Sequence, residues 1–270
     1  MKTYAIIDKE SIVRPIGFLF CFEKSGSFII ELRKELDEWE APLLFQEFVQ
    51  NGIDTIPQNI SILWVKERII PSGRQNIGMI LKNANLLEYN ELRLLDLTKG
   101  KCSQDDCYLK EIDFDSIPTE IKDRMNQTIK ECFTVNNQTI ICLFKDNLVR
   151  KISLRKLQTH HSEISKILNN EILFNSVKVG PGGYSIDFGG VVSIPAYKLR
   201  DETTEEPILA EDFYYFVQNN LIHTTAACDR LECSRQNLDY LASTKKLEPI
   251  INGSKENLYT KGSIERNLSD

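Results

Sequence analysis

The 270-residue sequence predicts a multidomain α+β protein. Three observations lead to this class. Short runs with the period-two alternation of β-strands cluster near the amino terminus and again between residues 138 and 188. Short amphipathic segments with polar caps, typical of helices, occur between and after these clusters. The charge balance also shifts along the chain, which indicates separate folding units joined by linkers.

The charge distribution places the domain boundaries. Residues 1–132 carry 17 basic and 22 acidic side chains, and residues 133–200 carry nine and four. Residues 201–222 carry six acids and no base, so the segment at 201–207 is typical of a solvated linker. We therefore predict an N-terminal α+β domain at 1–115, a small α+β domain at 133–200 and a C-terminal domain at 208–270.

The composition excludes several classes of protein. A content of 41% hydrophobic and 27% charged residues is ordinary for a globular protein. No apolar run approaches the roughly 20 residues that span a bilayer, and the apolar stretch at the amino terminus is too short for a signal peptide. We expect a cytoplasmic protein with no membrane partner.

Enzyme, cofactor and metal signals are also missing. The seven cysteines show no CxxC spacing and the three histidines are scattered, so we predict neither a disulfide framework nor a metal site. The adjacent carboxylates Asp105 and Asp106 would serve acid-base or metal chemistry only if a third group converged on them. No P-loop, GxSxG, HExxH or Gly-rich dinucleotide motif occurs. We expect no catalytic residues and no cofactor.

The N-terminal domain is predicted to be an antiparallel sheet with helices. Strand patterns occupy residues 3–7, 17–22 and 27–32, and helices are expected at 41–51, 74–83 and 90–97. Pro71-Ser72-Gly73 breaks the chain before the second helix. This order, with its Pro-x-Gly-Arg motif, is similar to the amino-terminal subdomain of HipA-type toxin kinases. No kinase motif follows, so no activity is implied.

The middle domain is predicted to contain two hairpins and a helix. Residues 138–144 and 148–154 flank the turn at 145–147, a polar helix follows near 162–169, and strands at 173–179 and 184–188 flank the turn at 180–183. Two hairpins and a helix make a small α+β unit.

This middle segment resembles the DUF2442 family. The resemblance is carried by residues 143–150, 173–179 and 184–188, and the sequence departs from the family where Asn147 replaces a turn glycine and Phe188 replaces a tryptophan. It implies a binding module without catalytic residues, of the kind often found as an antitoxin-like partner of a small toxin.

The C-terminal domain contains the pattern that points to a function. A threonine pair opens one short helix and Ser234 opens another, while Ala227, Leu231, Leu238 and Leu241 recur at spacings that bury one face of each helix. Two short strand patterns, at 247–251 and 257–260, flank a turn at 252–256.

This segment resembles the winged helix-turn-helix of excisionase-like and MerR-like regulators. The matching residues are 223–227, 233–236 and 246–250. The resemblance implies that Ser234, Arg235, Gln236 and Lys245 lie on the DNA side. The amino-terminal end of a recognition helix reads base edges, where arginine suits guanine and glutamine or asparagine suits adenine. The predicted double-stranded DNA contacts are Thr224, Thr225, Ser234, Arg235, Gln236, Asn237, Tyr240, Lys245 and Lys255.

The charge of this segment predicts a homodimer. Residues 221–270 carry seven basic and seven acidic side chains, so their net charge is zero. Neutralisation of phosphates supplies much of the affinity for DNA, so one copy should bind weakly. Two copies that read half-sites one helical turn apart would recover the affinity.

Two functions agree with these patterns. The first is a sequence-specific transcriptional regulator whose amino-proximal domains sense or bind a partner. The second is an antitoxin-like or anti-defence protein that masks a toxin-like or other partner protein, with DNA binding only for autoregulation. A regulator should bind DNA alone with a steep salt dependence, whereas a masking protein should co-purify with a partner protein.

Overall fold

The computed structural model describes residues 1–9, 14–136, 138–158, 163–201, 206–253 and 256–269. The protein is a mixed α+β chain with several small antiparallel sheets, as the sequence predicts. It divides into two compact units, Met1–Asp123 and Arg124–Asp270. No helix within the described ranges is long and apolar enough to cross a lipid bilayer.

The first unit is built on a five-stranded antiparallel sheet of order β4-β3-β2-β1-β5. Its strands are β1 (Lys2–Asp8), β2 (Gly17–Phe22), β3 (Ser27–Leu32), β4 (Thr55–Ile56) and β5 (Cys107–Glu111). Its helices are α1 (Gln46–Gln50), α2 (Gln58–Lys66), α3 (Ile77–Asn83) and α4 (Glu91–Thr98), with 3₁₀ turns at Leu43–Phe45 and Phe114–Ser116.

The three predicted strands of this unit are confirmed, and the helices predicted at 74–83 and 90–97 are present as α3 and α4. The helix expected at 41–51 is instead a 3₁₀ turn, in which the Phe45 amide donates to the Pro42 carbonyl at 2.7 Å, followed by the short α1. Helix α2 was not predicted, and it carries the buried Trp64. The Ser61 hydroxyl accepts the Ile30 amide at 3.1 Å, which fixes α2 on the sheet.

Helix α5 (Thr119–Asn126) spans the boundary, and the second unit follows. Its first strands form two three-stranded sheets, which are β6 (Ile129–Asn136), β7 (Thr139–Phe144) and β8 (Val149–Ser153), then β9 (Val177–Val179), β10 (Ser185–Phe188) and β11 (Val192–Pro195). The helices that pack with them are α6 (Leu154–Gln158), α7 (Ile164–Leu168), α8 (Glu171–Asn175) and α9 (Ala196–Asp201).

The two predicted hairpins are present, but each has a third strand, so the middle region is not a two-hairpin unit. β6 adds to the β7–β8 hairpin and β11 adds to the β9–β10 hairpin. In the first hairpin Asn147 adopts φ +69°, a left-handed conformation that asparagine tolerates where the family pattern has glycine.

The strand predicted at 173–179 begins only at Val177, because its first residues are helical. The Asn170 side chain accepts the Leu173 amide at 3.1 Å and so caps α8. The helix buries Phe174 in the core that the sheets share with α6, α7 and α9. The linker expected at 201–207 falls largely on residues 202–205, which lie outside the described ranges.

A glycine holds the two sheets close together. Gly183 has φ +82°, and a Cβ built on it would lie 2.2 Å from the Ile129 carbonyl oxygen of β6. The preceding Gly182 carbonyl accepts bonds from the Thr128 hydroxyl at 3.0 Å and from Lys145 Nζ at 2.8 Å. Only glycine combines this dihedral angle with such close backbone packing.

The described residues of the last part of the second unit form helices and a small sheet. The helices are α10 (Ala210–Asn220), α11 (Thr224–Leu231), α12 (Arg235–Ser243) and α13 (Lys261–Ser269). The strands are β12 (Leu221–His223), β13 (Ile251–Asn252) and β14 (Asn257–Thr260), which form an antiparallel sheet of order β12-β14-β13.

Candidate nucleic-acid interface

The connection between α11 and α12 is fixed by hydrogen bonds at both helix ends. Glu232 adopts φ +50° at the end of α11, and the Cys233 amide donates to the Cys228 carbonyl at 3.1 Å. Ser234 then caps α12, because its hydroxyl accepts the Asn237 amide at 3.2 Å. Three residues, 232–234, connect the two helices, and the bonds at both helix ends define their relative orientation.

The Ser234 cap of α12 predicts that its removal lowers stability. Ser234→Ala should lower the free energy of unfolding by about 1 kcal/mol, because an amide of the first turn of α12 loses its acceptor. Urea unfolding followed by circular dichroism measures this change. Ser243→Ala, at the other end of the same helix, removes no cap and should change stability by less than about 0.5 kcal/mol. Equal losses in the two variants would contradict the capping role.

The apolar residues that the sequence singled out do pack together. Ala227 and Leu238 are fully buried, and Leu231 and Leu241 are partly buried against them. The same core includes Ile222 of β12, Leu247, Tyr259 of β14 and Ile264 of α13. The two helices therefore rest on the small sheet and on α13, which gives α12 a rigid support.

The sheet behind the helices differs in two places from the predicted strands. The strand expected at 247–251 begins at Ile251, because Pro249 lacks an amide. The Ile250 amide still donates to the Leu258 carbonyl at 2.8 Å. Strand β12 was not predicted, since three residues carry too little periodicity to detect. It pairs along β14, with Ile222 opposite Tyr259.

The exposed residues of the first turns of α12 form a polar surface. Arg235, Gln236 and Asn237 follow the Ser234 cap directly and are exposed, and the Tyr240 side chain is 57% exposed one turn later. We call Ser234, Arg235, Gln236, Asn237 and Tyr240 the α12 surface. Leu238, which lies between them in sequence, is buried in the core and anchors α12. The residues of the α12 surface are not part of this core.

The other predicted contacts lie elsewhere. Thr225 is exposed in the first turn of α11. Thr224 is buried, and its hydroxyl bonds the backbone of Asn257 at 3.3 Å. Lys245 is exposed beyond the end of α12, and a helix of this length separates it from Arg235 by roughly 14 Å. Lys255 lies outside the described residues.

Ion pairs neutralise several of the basic residues around these helices. Arg230 of α11 pairs with Glu265 at 3.6 Å, and Arg266 of α13 pairs with Glu131 at the same distance. Arginines already held by carboxylates supply little net charge to a polyanion. The positive charge of the α12 surface therefore comes from Arg235, the cation of its first turn.

Glu131 of β6 connects the middle sheets to this region. It is buried, and its carboxylate accepts the Thr260 hydroxyl at 2.5 Å where β14 passes into α13. Burial raises the pKa of Glu131, and the Thr260 hydroxyl and the Arg266 guanidinium offset part of that rise. Gly262 gives the carboxylate room, since a Cβ there would lie 3.1 Å from Glu131 Cγ.

The adjacent carboxylates of the first unit do not form a site. Asp105 pairs with the buried Arg68, whose guanidinium stacks 3.5 Å from the Trp64 ring centroid. Asp106 pairs instead with Lys9 at 2.7 Å. The two side chains thus face apart, each with its own basic partner. Among the described side chains, no three of His, Cys, Asp or Glu converge closely enough to hold a metal ion.

No family model, curated protein or solved structure matches this chain. The resemblances to excisionase-like and MerR-like regulators, to DUF2442 and to the HipA amino-terminal subdomain therefore stay predictions. The observations that indicate a function come from the geometry of residues 221–269.

Proposed function

We propose that residues 221–269 act as a winged helix-turn-helix that binds double-stranded DNA, and that the chain is a sequence-specific transcriptional regulator of the cytoplasm. The observation that carries the proposal is the α12 surface. A serine cap holds an exposed Arg-Gln-Asn run at the start of a helix whose opposite face is buried. A recognition helix presents this arrangement of residues to the major groove.

The neighbouring elements support α12, rather than α11 or α13, as the reading helix. Arg230 and Arg266, on α11 and α13, pair with acids of the same unit. Thr225, exposed at the amino end of α11, lies where the first helix of such a motif contacts a phosphate. We leave Thr224 out of the proposed DNA surface, because its hydroxyl joins α11 to β14.

The zero net charge of residues 221–270 supports the use of two copies. With Arg235 as the cation of the first turn, one copy forms few phosphate contacts, so its affinity should be low and only weakly dependent on salt. Two copies joined in a dimer convert the second contact into an intramolecular event and raise the overall affinity. The operator would then be an inverted repeat with half-sites about 34 Å apart or a multiple of this distance.

The remainder of the chain would then sense or bind a partner. The middle sheets join the DNA-binding part through the Glu131–Thr260 bond and through the pairing of Lys151 with Asp212 at 2.7 Å. A ligand or protein that shifted these sheets would act on α13, which packs beside α11. This function needs no catalytic residue and no cofactor.

A selection from random duplex DNA tests the proposal. The full-length protein is incubated with the random pool at near-physiological salt, and the retained DNA is sequenced. We expect enrichment of an inverted repeat, with guanine and adenine at the positions that Arg235 and the neighbouring amides would read. A retained pool without sequence enrichment, from protein that is folded by circular dichroism, would overturn the regulator and favour the masking function.

A further inference from the structure

Helix α10 carries an exposed apolar surface that the proposed DNA contacts do not use. Phe213 and Tyr214 are 61% and 63% exposed. Isolated exposed apolar residues are normal, but a contiguous group of this kind marks a binding surface. We call the group, together with the groove beside it, the α10 surface, and its exposed members are Val149, Ile208, Leu209, Phe213, Tyr214 and Val217.

The groove lies between α10 and the β6-β7-β8 sheet and has a volume of about 150 Å³. Phe133 and Phe216 meet in it with ring centroids 4.8 Å apart, and Ile141 and Leu143 of β7 complete the apolar lining. Phe213 lines the groove and also projects from it. The α10 surface thus offers both a depression and projecting aromatic rings.

The size of this surface suits a dimer. Six large apolar side chains, each about half exposed, amount to roughly 600 Å² per copy. A standard protein interface buries about 800 Å² per partner. With a polar rim, the α10 surface would therefore supply most of the area that a stable contact requires.

The charged pair at the groove is neutralised within each copy. Asp212 of α10, which lines the groove, pairs with Lys151 Nζ of β8 at 2.7 Å. This pair therefore presents no uncompensated charge to a second copy, and a two-fold axis along the groove places the apolar side chains of one copy against those of the other.

We propose that the α10 surface is the contact through which two copies of this chain form a two-fold symmetric dimer. This interface rests on the proposed function in one consequence only, namely that the dimer presents two α12 helices to the same DNA duplex. Helix α10 ends at Asn220 and β12 begins at Leu221, so no flexible linker separates the dimer contact from the DNA-binding elements. The same contact therefore fixes the half-site spacing.

Sedimentation equilibrium of the full-length protein without DNA tests the interface. We expect a dimer at micromolar concentration, a Phe213→Asp variant whose dimer is at least about 30-fold weaker, and a similar loss in Tyr214→Asp. The two side chains are largely solvent-exposed, so both variants should fold. Ile172→Asp is the matched control, because Ile172 is 85% exposed on α8 outside the α10 surface, and it should dimerise normally.

A wild-type protein that stays monomeric at about 100 µM would overturn the proposal, as would equal dimer strength in Phe213→Asp and Ile172→Asp. These outcomes are independent of DNA binding. A dimer that loses self-association in Phe213→Asp but selects no DNA sequence would retain this interface and reject the DNA-binding function. A wild-type monomer that selects a single half-site would reject this interface and retain the DNA-binding function.

Discussion

The double substitution Arg235→Ala/Gln236→Ala is expected to weaken binding to the selected operator by at least about 100-fold. A good bidentate pair of a side chain with a base contributes about 1–3 kcal/mol to discrimination, and both side chains are lost from each copy of a dimer. Both residues are exposed and neither belongs to the buried core of α12, so stability should change by less than about 0.5 kcal/mol. A fluorescence-anisotropy titration against the operator measures the change in affinity.

The chain supplies a matched control for this experiment. Arg74-Gln75-Asn76 repeats the tripeptide Arg235-Gln236-Asn237, and the earlier copy is also exposed. Arg74→Ala/Gln75→Ala removes the same two side chains and the same charge, so it should leave operator affinity within about twofold. If Arg235→Ala/Gln236→Ala retains operator binding, or if the control loses as much, α12 is not the recognition helix.

Salt dependence separates the two contributions of Arg235. Each neutralised phosphate contributes a slope of about −0.9 to the dependence of log affinity on log salt. If Arg235 reads a base, its removal lowers specific affinity more than affinity for random DNA. If it contacts only a phosphate, both affinities fall together and the salt slope decreases by about one per half-site.

The two Arg-Gln-Asn tripeptides also show how far the sequence alone could identify the α12 surface. In the first unit the run precedes α3, and Asn76 at its end makes no side-chain cap. In the second unit the run opens α12 after a serine cap. The sequence predicted Ser234 as the residue that opens α12, and the cap and the helix start are confirmed.

Features that depend on distant contacts were not predictable in the same way. The burial of Thr224 results from its bonds to the backbone of Asn257, which is 33 residues away in sequence. Strand β12 exists because it pairs with β14, and three residues carry no signal of their own. The strand predicted at 173–179 was wrong over residues 173–175, which are helical in α8. The Asn170 side chain caps this helix, whereas the apolar pattern of these residues suits a strand as well as a helix.

The same distinction applies to the middle sheets. Both hairpins follow from turn residues next in sequence to their strands, and both are present. Their third strands, β6 and β11, are added by pairing and packing that no local pattern reports. Glu131 likewise joins the middle sheets to the end of β14 through its bond from Thr260, which lies 129 residues away in sequence. No local pattern around Glu131 indicates this contact.

The buried pair of Asp212 and Lys151 gives the largest expected effect on stability. Asp212→Ala should lower the free energy of unfolding of the second unit by about 3 kcal/mol, because it leaves the largely buried Lys151 ammonium without its partner. The same carboxylate accepts the Leu209 amide at 2.7 Å, so the variant also loses the cap of α10. Urea unfolding at pH 7 measures the change, and Glu211→Ala, at the exposed neighbouring acid, should cost less than about 0.5 kcal/mol.

The pH dependence of that difference identifies the charge as its cause. Burial would raise the pKa of Asp212, but bonds from the Lys151 ammonium and the Leu209 amide outweigh it and hold the pKa below the ordinary 3.8. A carboxyl whose pKa is lowered by folding stabilises the protein fully above its unfolded pKa, and the contribution is lost as the pH falls through the folded pKa. The stability gap between wild type and Asp212→Ala should therefore be constant from pH 5 to 7 and narrow below about pH 4. A gap that persists unchanged at pH 3 would assign the loss to packing, since only the ionised carboxylate can neutralise Lys151.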